Sequence, residues 1–143
     1  MIRKGEIDEI LPIIEGIPEF KSPYSKEEFT KRLSATKSVV LIAEDDGKPV
    51  GFKCGYQRNS NASFYSWMGG VLPEFRGMGI AAALLKEMEL WCRSKGYRYL
   101  TFKTLNEHKS MLIFALKYGF EIIDTERSSK DERIRIWLRK QLK

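Results

Sequence analysis

The sequence predicts an α/β domain in which helices flank a mixed, mostly antiparallel central sheet, in the order β-α-α-β-β-β-α-β-α-β-β. Two observations predict this class. Apolar runs and apolar–polar alternation between residues 39 and 71 indicate consecutive strands joined by tight turns. A long amphipathic helix pattern follows, and strand and helix patterns then complete the chain. With 143 residues and no repeat or linker, the chain fits a single domain over residues 1–143.

The first part of the chain predicts a short strand and two helices. Ile2 to Lys4 is the strand, and Pro12 indicates that the first helix starts late or is kinked. Residues 16–25 contain two prolines and predict a loop. Ser25 then caps the second helix, with Glu28 as its capping-box partner. Apolar residues at helical spacing mark the faces of both helices: Ile7, Ile10, Leu11 and Ile14 in the first, Phe29 and Leu33 in the second.

Three strands joined by turns form the middle of the chain. A buried strand over residues 39–43 leads through a hairpin turn at residues 45–48 into a half-buried, alternating strand over 50–57. A turn at residues 58–61 precedes the third strand, Ser63–Val71, which Gly69 and Gly70 interrupt near its end. Together these strands predict an antiparallel meander.

The last part of the chain alternates helices and strands. Ile80, Leu84, Met88 and Trp91 share one face of a long helix that ends near Gly96. Four further elements follow it: a strand over residues 97–105, a helix over 111–118 stopped by Gly119, and strands over 120–125 and 134–138.

Composition narrows the classes of function. Acidic residues interrupt the start of the chain, and no run approaches the ~18 apolar residues of a membrane span, so we expect a cytoplasmic protein. The net charge of +6 comes from basic residues scattered among 19 acids, which argues against a nucleic-acid partner. Cys54 and Cys92 have no metal or redox spacing and are interpreted as buried hydrophobes. We expect no metal.

The loop between the third strand of the meander and the long helix carries the clearest chemical signal. Two glycines, Gly77 and Gly79, stand immediately before the helix. Glycine allows the backbone to approach a ligand and to adopt positive φ. The N–H groups of a helix start, together with the helix dipole, favour an anion. The sequence therefore predicts a phosphate-binding loop.

A dinucleotide site is the competing interpretation, since residues 77–82 also satisfy G-x-G-x-x-G/A. That fingerprint follows an early strand of a βαβ unit and needs an acidic residue about 20 positions later. Here the preceding strand ends a meander, and residues 97–105 contain no acid. A glycine turn with no ligand is the other alternative, and the Arg76 prefix and the long helix disfavour it.

The same loop resembles the cofactor motif of the GCN5-related N-acetyltransferase (GNAT) family. The family's Q/R-x-x-G-x-G/A is met by Arg76, Gly79 and Ala81, inside the wider form Val71-x-Pro73-x-x-Arg76-Gly77-x-Gly79-Ile80. The ending Lys117-Tyr118-Gly119-Phe120 resembles the family's second cofactor segment, and the element order is similar to the family fold.

The resemblance implies acetyl-coenzyme A as cosubstrate. Backbone N–H groups of the loop would hold its pyrophosphate, and Val71 would offer backbone groups to the pantetheine arm or the acetyl carbonyl, where an N–H would stabilise developing charge. The family's strand before the loop is bulged and splays from its parallel neighbour, and Gly69-Gly70 is interpreted as that bulge. The implied cofactor-binding residues are Val71, Arg76, Gly77, Met78, Gly79, Ile80, Ala81 and Asn106.

The proton-transfer residues depart from the family pattern. Counting back from Gly119 places Ala115 at the position where the family commonly has a Tyr that protonates the departing thiolate. The same count places His108 where the family has an Asn, and Asn106 lies two residues earlier. The catalytic candidates are His108, whose ordinary pKa suits proton transfer, and Tyr118, the nearest tyrosine. Glu107 or an ordered water chain are alternatives for the base.

The acceptor site is expected around residues 17–24 with Phe64, Tyr65 and Trp67, although core packing of Phe64 and Trp67 is an equal alternative. The function implied is direct transfer of acetyl from acetyl-coenzyme A to a primary amine of a small molecule or protein. The alternative is a non-catalytic acyl-coenzyme A-binding or regulatory module. The expected partners are acetyl-coenzyme A and an amine acceptor, with no membrane; a homodimer is compatible with the sequence.

Overall fold

The computed structural model describes residues 1–21, 23–58 and 62–142. The predicted element order is confirmed. Strands and helices are β1 (Ile2–Lys4), α1 (Ile7–Glu15), α2 (Lys26–Ala35), β2 (Ser38–Asp45), β3 (Lys48–Tyr56), β4 (Ser63–Val71), α3 (Ile80–Ser94), β5 (Tyr99–Leu105), α4 (Lys109–Lys117), β6 (Glu121–Arg127) and β7 (Ile134–Gln141), with a 3₁₀ turn at Pro73–Phe75. Within the described residues, no helix is long and apolar enough to cross a bilayer.

Seven strands form one sheet in the order β1-β2-β3-β4-β5-β7-β6. The β1 to β4 pairings are antiparallel, β4 and β5 are parallel, and β7 lies antiparallel between β5 and β6. The hairpin between β2 and β3 turns at Asp46 and Gly47, which both have positive φ. This geometry suits a tight two-residue hairpin turn. The sheet is therefore mixed and mostly antiparallel, as the sequence predicts.

Helices cover both faces of the sheet, and each face has its own apolar core. On the first face, here called the α3 face, Leu84 and Met88 of α3 pack with Phe64 of β4 and Leu138 of β7. On the opposite face, called the α1–α2 face, the core is built by Ile10, Ile13, Ile14, Phe29, Leu33, Phe52 and Cys54. A ligand bound at the middle of the sheet would therefore contact different side chains on its two faces.

Several predicted boundaries and burial patterns are wrong. The first helix begins at Ile7 and contains Pro12, so it does not start late. Ser25 does cap α2, since its side chain accepts from the Glu28 amide, but the Glu28 carboxylate is bound to Arg32. β3 is buried on both faces, not half-buried, because helices cover both sides of it.

The C-terminal elements are also shifted. β5 begins at Tyr99, not at residue 97, because the Tyr97 amide still bonds to the end of α3 at Cys92. The last two strands extend further than predicted, to Arg127 and Gln141. The predicted turn at 58–61 lies largely outside the described residues.

One lysine of the sheet is held against the α3 core. Lys53 of β3 alternates with Phe52 and Cys54, which face α1 and α2, so its side chain lies on the α3 face. Burial lowers the pKa of Lys53 to about 8, partly offset by Glu89 of α3. Glu89 is itself bound to Lys140 at 2.9 Å. The ammonium form of Lys53 is therefore destabilising in the folded protein.

We expect Lys53→Met to raise the free energy of unfolding by about 1–3 kcal/mol at pH 7, the upper figure being the shift converted at 1.36 kcal/mol per pKa unit. Because the folded pKa is lowered, the unfolded chain binds more protons between about pH 8 and the ordinary lysine pKa of 10.5. The parent therefore gains stability as pH rises through this window, and the advantage of the variant shrinks. Urea unfolding at pH 7 and pH 10 measures both effects. Lys86→Met, at an exposed position of α3, is the control. A variant advantage that is unchanged at pH 10 would contradict this account.

Candidate active site

Strands β4 and β5 pair over part of their length and then separate. Among the described residues, their parallel ladder joins Ser63 to Tyr99, Phe64 to Leu100 and Tyr65 to Thr101, and no later pair. The second half of β4 therefore faces an opening in the middle of the sheet. The backbone groups of this half that point toward β5 have no strand partner.

The register of β3 and β4 identifies which backbone groups face this opening. The Leu72 amide donates to the Val50 carbonyl at 2.8 Å, so that pair is hydrogen-bonded. Antiparallel pairs alternate between hydrogen-bonded and non-hydrogen-bonded, and Val71 opposite Gly51 is the next one along. The N–H and C=O of Val71 therefore point away from β3 and into the opening. By the same alternation, the N–H and C=O of Gly69 also point away from β3 and into the opening.

A β-bulge is present in β4, but it is not at Gly69-Gly70. Those glycines are in regular register with Lys53 and Phe52. The register shifts between Met68, opposite Cys54, and Ser66, opposite Gly55, which leaves Trp67 as the extra residue. The predicted position is wrong because a glycine pair is only one of the sequences that allow a bulge.

Gly70 has a different role, which is close packing. A Cβ at this position would lie 2.6 Å from Ile17 Cδ1 and 3.2 Å from Phe20 Cε2. Both residues belong to the segment between α1 and α2, within the predicted acceptor region. The absent side chain of Gly70 therefore lets this segment lie directly over β4.

The loop after β4 has the geometry of an anion site. Gly77 and Gly79 have φ of 78° and 80°, and a Cβ at either would have no described atom within 4 Å. The first intrahelical bond of α3 runs from the Ala83 amide to the Gly79 carbonyl at 3.0 Å. The preceding N–H groups of the helix start therefore have no intrahelical acceptor. Open space in front of unpaired donors fits a pyrophosphate.

Arg76 holds this loop in place through its side chain. Its Nε donates to the Val71 carbonyl at 3.0 Å, and its two terminal nitrogens donate to both Glu19 carboxylate oxygens at 2.9 and 3.0 Å. Arg76 thereby holds the pKa of Glu19 below its ordinary value. The Arg76 amide donates to the Pro73 carbonyl at 3.3 Å, so of the predicted cradle this one N–H is already engaged.

The carboxyl end of β5 lies at the same edge of the sheet as this loop, because β4 and β5 are parallel. Asn106 follows β5; its backbone N–H donates to the Ile134 carbonyl, and its Oδ1 accepts from Lys109 Nζ at 3.5 Å. His108 is the exposed residue that precedes α4. Neighbouring Glu107 is bound to Arg133 at 3.0 Å. Of these two candidate bases, Glu107 is thus held in an ion pair, whereas His108 forms none among the described residues.

The structure does not bring Tyr118 and His108 together. They flank opposite ends of the nine-residue helix α4, a separation of about 15 Å at the helical rise per residue. The Tyr118 ring packs 4.8 Å from the Phe114 ring and against the α3-face core. Ala115, at the family's tyrosine position, is buried.

The predicted acceptor residues divide between the two faces of the sheet. Phe64 lies on the α3 face, fully buried, with its ring 4.9 Å from Trp91. Tyr65 and Trp67 lie on the α1–α2 face, because they are two positions apart on β4, and the bulge brings Met68 to the same side. The core alternative is therefore correct for Phe64.

Sequence reasoning missed the cations that accompany these aromatic residues. The Arg32 guanidinium lies 4.7 Å from the Trp67 ring, and Arg58 lies 5.0 Å from Tyr65. Lys103 and Trp137, paired across β5 and β7, extend the same surface. Apolar–polar alternation along β5 and β7 is the sequence signal that could have placed Lys103 and Trp137 on one face of the sheet.

The family model for the acetyltransferase (GNAT) family matches residues 7–120, most of the chain. The chain belongs to this family. The match includes the anion loop, the opening between β4 and β5, and α4. The predicted resemblance and the predicted GNAT-like fold are therefore confirmed.

Solved structures show the same GNAT fold. The ribosomal-protein-S18-alanine N-acetyltransferase of Escherichia coli superposes with a TM-score of 0.85 at 14% identity, covering 99% of this chain and 93% of that one. An aminoglycoside 6'-N-acetyltransferase complexed with coenzyme A gives 0.84 at 15%, covering 100% and 97%. A GNAT acetyltransferase of Elizabethkingia anophelis with acetyl-coenzyme A bound gives 0.78 at 22%, covering 99% and 97%.

Proposed function

We propose that this GNAT protein transfers the acetyl group of acetyl-coenzyme A directly to a primary amine. One observation carries the proposal. The anion loop at the start of α3 directly follows β4, and the N–H of Val71 near the end of β4 points into the opening between β4 and β5. A pyrophosphate attached to an extended arm fits this arrangement. The relatives with coenzyme A or acetyl-coenzyme A support the same assignment.

The chain's own residues would divide the work as follows. Gly77, Met78, Gly79, Ile80 and Ala81 supply backbone donors for the pyrophosphate, and Arg76 fixes the loop against β4. Acetyl-coenzyme A supplies an acyl thioester. The Val71 N–H donates to its carbonyl oxygen and stabilises the charge that develops there when the amine attacks. Asn106, at the end of β5, would contact the cofactor arm from the opposite side of the opening.

The amine would approach from the α1–α2 face beside β5, since α1 and α2 pack chiefly on β2, β3 and β4, whereas α3 and its core cover the opposite face. The attacking nitrogen must lose a proton and the departing thiolate must gain one. We assign the first step to His108, which lies at the loop edge of the sheet, and keep Tyr118 as the candidate acid. Because these residues are at opposite ends of α4, they would not act on the same atom. A pH–rate profile for His108→Ala and Tyr118→Phe tests the two roles, and a normal profile for His108→Ala would remove it from the mechanism.

Cofactor binding is the first test. Because the loop is an anion site of the folded protein, acetyl-coenzyme A should bind the folded state and raise the melting temperature. At a concentration one hundred times the Kd, the added free energy of unfolding is about 2.7 kcal/mol. NADH at the same concentration should leave it unchanged. A shift with NADH and none with acetyl-coenzyme A would overturn the cofactor assignment.

Catalysis is tested separately from binding, because Ala115 at the family's tyrosine position keeps the non-catalytic module as the second candidate. Release of free thiol from acetyl-coenzyme A across a panel of amines distinguishes the two. The protein's own thiols do not interfere, since burial raises the pKa of both Cys54 and Cys92 to about 12. Cofactor binding without thiol release for any amine would favour the non-catalytic module.

A further inference from the structure

We infer that the acceptor amine carries a carboxylate, which Arg58 and Lys103 bind on the α1–α2 face. This inference rests on the proposed function and specifies its second substrate. It follows from the position of the two cations, from their lack of acidic partners in the described part of the chain and from the ring that they share.

Arg58 and Lys103 converge on one aromatic ring. The Arg58 guanidinium carbon lies 5.2 Å from the centre of the Trp137 ring, and the Lys103 Nζ also lies 5.2 Å from it. Arg58 lies 5.0 Å from Tyr65 as well. Besides burial, the Arg58 charge lowers the pKa of Lys103, so the two like charges repel each other, and an anion bound beside them would relieve that repulsion.

Neither cation has an acidic partner within residues 1–21, 23–58 and 62–142. Among the described residues, Arg58 and Lys103 form no ion pair, whereas the neighbouring Arg32 and Arg135 are bound to Glu28 at 2.6 Å and to Asp131 at 3.4 Å. Glu126 of β6 acts on Lys103 only through its field. Burial and then the Arg58 charge lower the pKa of Lys103, which agrees with a cation that lacks a counter-ion. An external carboxylate would supply that counter-ion.

The two cations stand at the opening between β4 and β5. Lys103 pairs with Trp137 in the β5–β7 ladder, just past Thr101, where β5 leaves β4. Tyr65, under Arg58, is the last β4 residue before the separation. A carboxylate bound here would place the rest of a small acceptor beside the opening, on the face that α3 leaves free.

This arrangement also disfavours one class of amine. A polycation, such as a polyamine or an aminoglycoside, would bring further positive charge beside Arg58 and Lys103, which form no ion pair among the described residues. Like charges in a partly desolvated site repel strongly. The expected acceptor is therefore an amino acid or another small amine with a carboxylate.

The experiment compares L-amino acids with their carboxamides, and both with spermidine and an aminoglycoside, by thiol release from acetyl-coenzyme A. The α-amine of an amino-acid carboxamide is less basic than that of the free amino acid, so more of it is unprotonated and able to attack at neutral pH. Intrinsic reactivity therefore favours the amide. We nevertheless expect the best amino acid to exceed its amide at least tenfold in kcat/KM. A polycation that is used better than every carboxylate-bearing amine would overturn the inference and leave the proposed acetyl transfer standing.

Variants identify the residues responsible. Arg58→Gln and Lys103→Gln should each lower kcat/KM for the amino acid at least tenfold, through KM, while the amide changes less than threefold and the Kd of acetyl-coenzyme A stays constant. Lys31→Gln, at an exposed position of α2, is the matched loss of charge and should have no effect. If Lys103→Gln fails to fold, exposed Arg58 carries the test alone. Equal losses for acid and amide would overturn the inference, and no turnover with any amine would overturn the proposed function with it.

Discussion

Gly79→Glu is expected to weaken acetyl-coenzyme A binding by at least a hundredfold while the protein remains folded. Gly79 has a φ of 80° and opens onto space that no described atom occupies. A glutamate side chain would fill that space and place a negative charge in front of the donors that are to bind phosphate. Calorimetric titration with coenzyme A measures the loss.

Backbone strain must be separated from obstruction, because a non-glycine residue at positive φ costs about 1–2 kcal/mol. Gly47→Glu is the matched control for backbone strain. Gly47 has a φ of 81° and equally open surroundings, but it lies in the β2–β3 hairpin. Both variants should lose similar stability in urea, and Gly79→Glu alone should lose the cofactor. Normal affinity in a folded Gly79→Glu protein would show that the phosphates bind elsewhere.

Val71→Pro is expected to slow acetyl transfer about 100- to 1,000-fold, the usual effect of removing one donor to a developing oxyanion. Proline removes the N–H that faces the opening. It removes no ladder bond, because Val71 and Gly51 form a non-hydrogen-bonded pair. Single-turnover thiol release at saturating acetyl-coenzyme A measures the chemical step.

The control for this change is Val71→Ala. Val71 is buried on the α3 face, so both substitutions alter packing there, but alanine keeps the N–H. The difference between the two variants therefore isolates the donor. If folded Val71→Pro transfers acetyl as fast as Val71→Ala, the Val71 N–H does not contact the reacting carbonyl.

The sequence predicted what is local. The anion loop is recognisable because its glycines, the start of α3 and the end of β4 are contiguous, and each element is indicated by its own period. The bulge was misplaced because register depends on the partner strand: Gly55 lies so close to the Tyr65 carbonyl that no Cβ fits, and this contact joins two strands. Burial of β3 on both sides likewise depended on helices distant in sequence.

The acceptor side was predicted least well, for the same reason. The pair of Arg76 with Glu19 joins residues 57 positions apart, and no periodicity indicates it. Arg58, Lys103 and Trp137 lie on three different segments and meet only when β5 pairs with β7. The roles of His108, Tyr118 and Asn106 stay predictions, since position along α4 and β5 alone does not assign chemistry.

The opening between β4 and β5 also determines how the domain is held together. In mechanical terms the sheet consists of two halves, one formed by β1 to β4 and the other by β5, β7 and β6. The halves are joined by the short ladder of Ser63–Tyr65 with Tyr99–Thr101 and by the crossover helix α3. Most sheets are most cohesive at their centre, where each strand has two full neighbours. Here, among the described residues, the central pair of strands is joined by three residue pairs, as few as join the edge strand β1 to β2. A molecule bound in the opening would therefore brace the two halves, and its departure would release them.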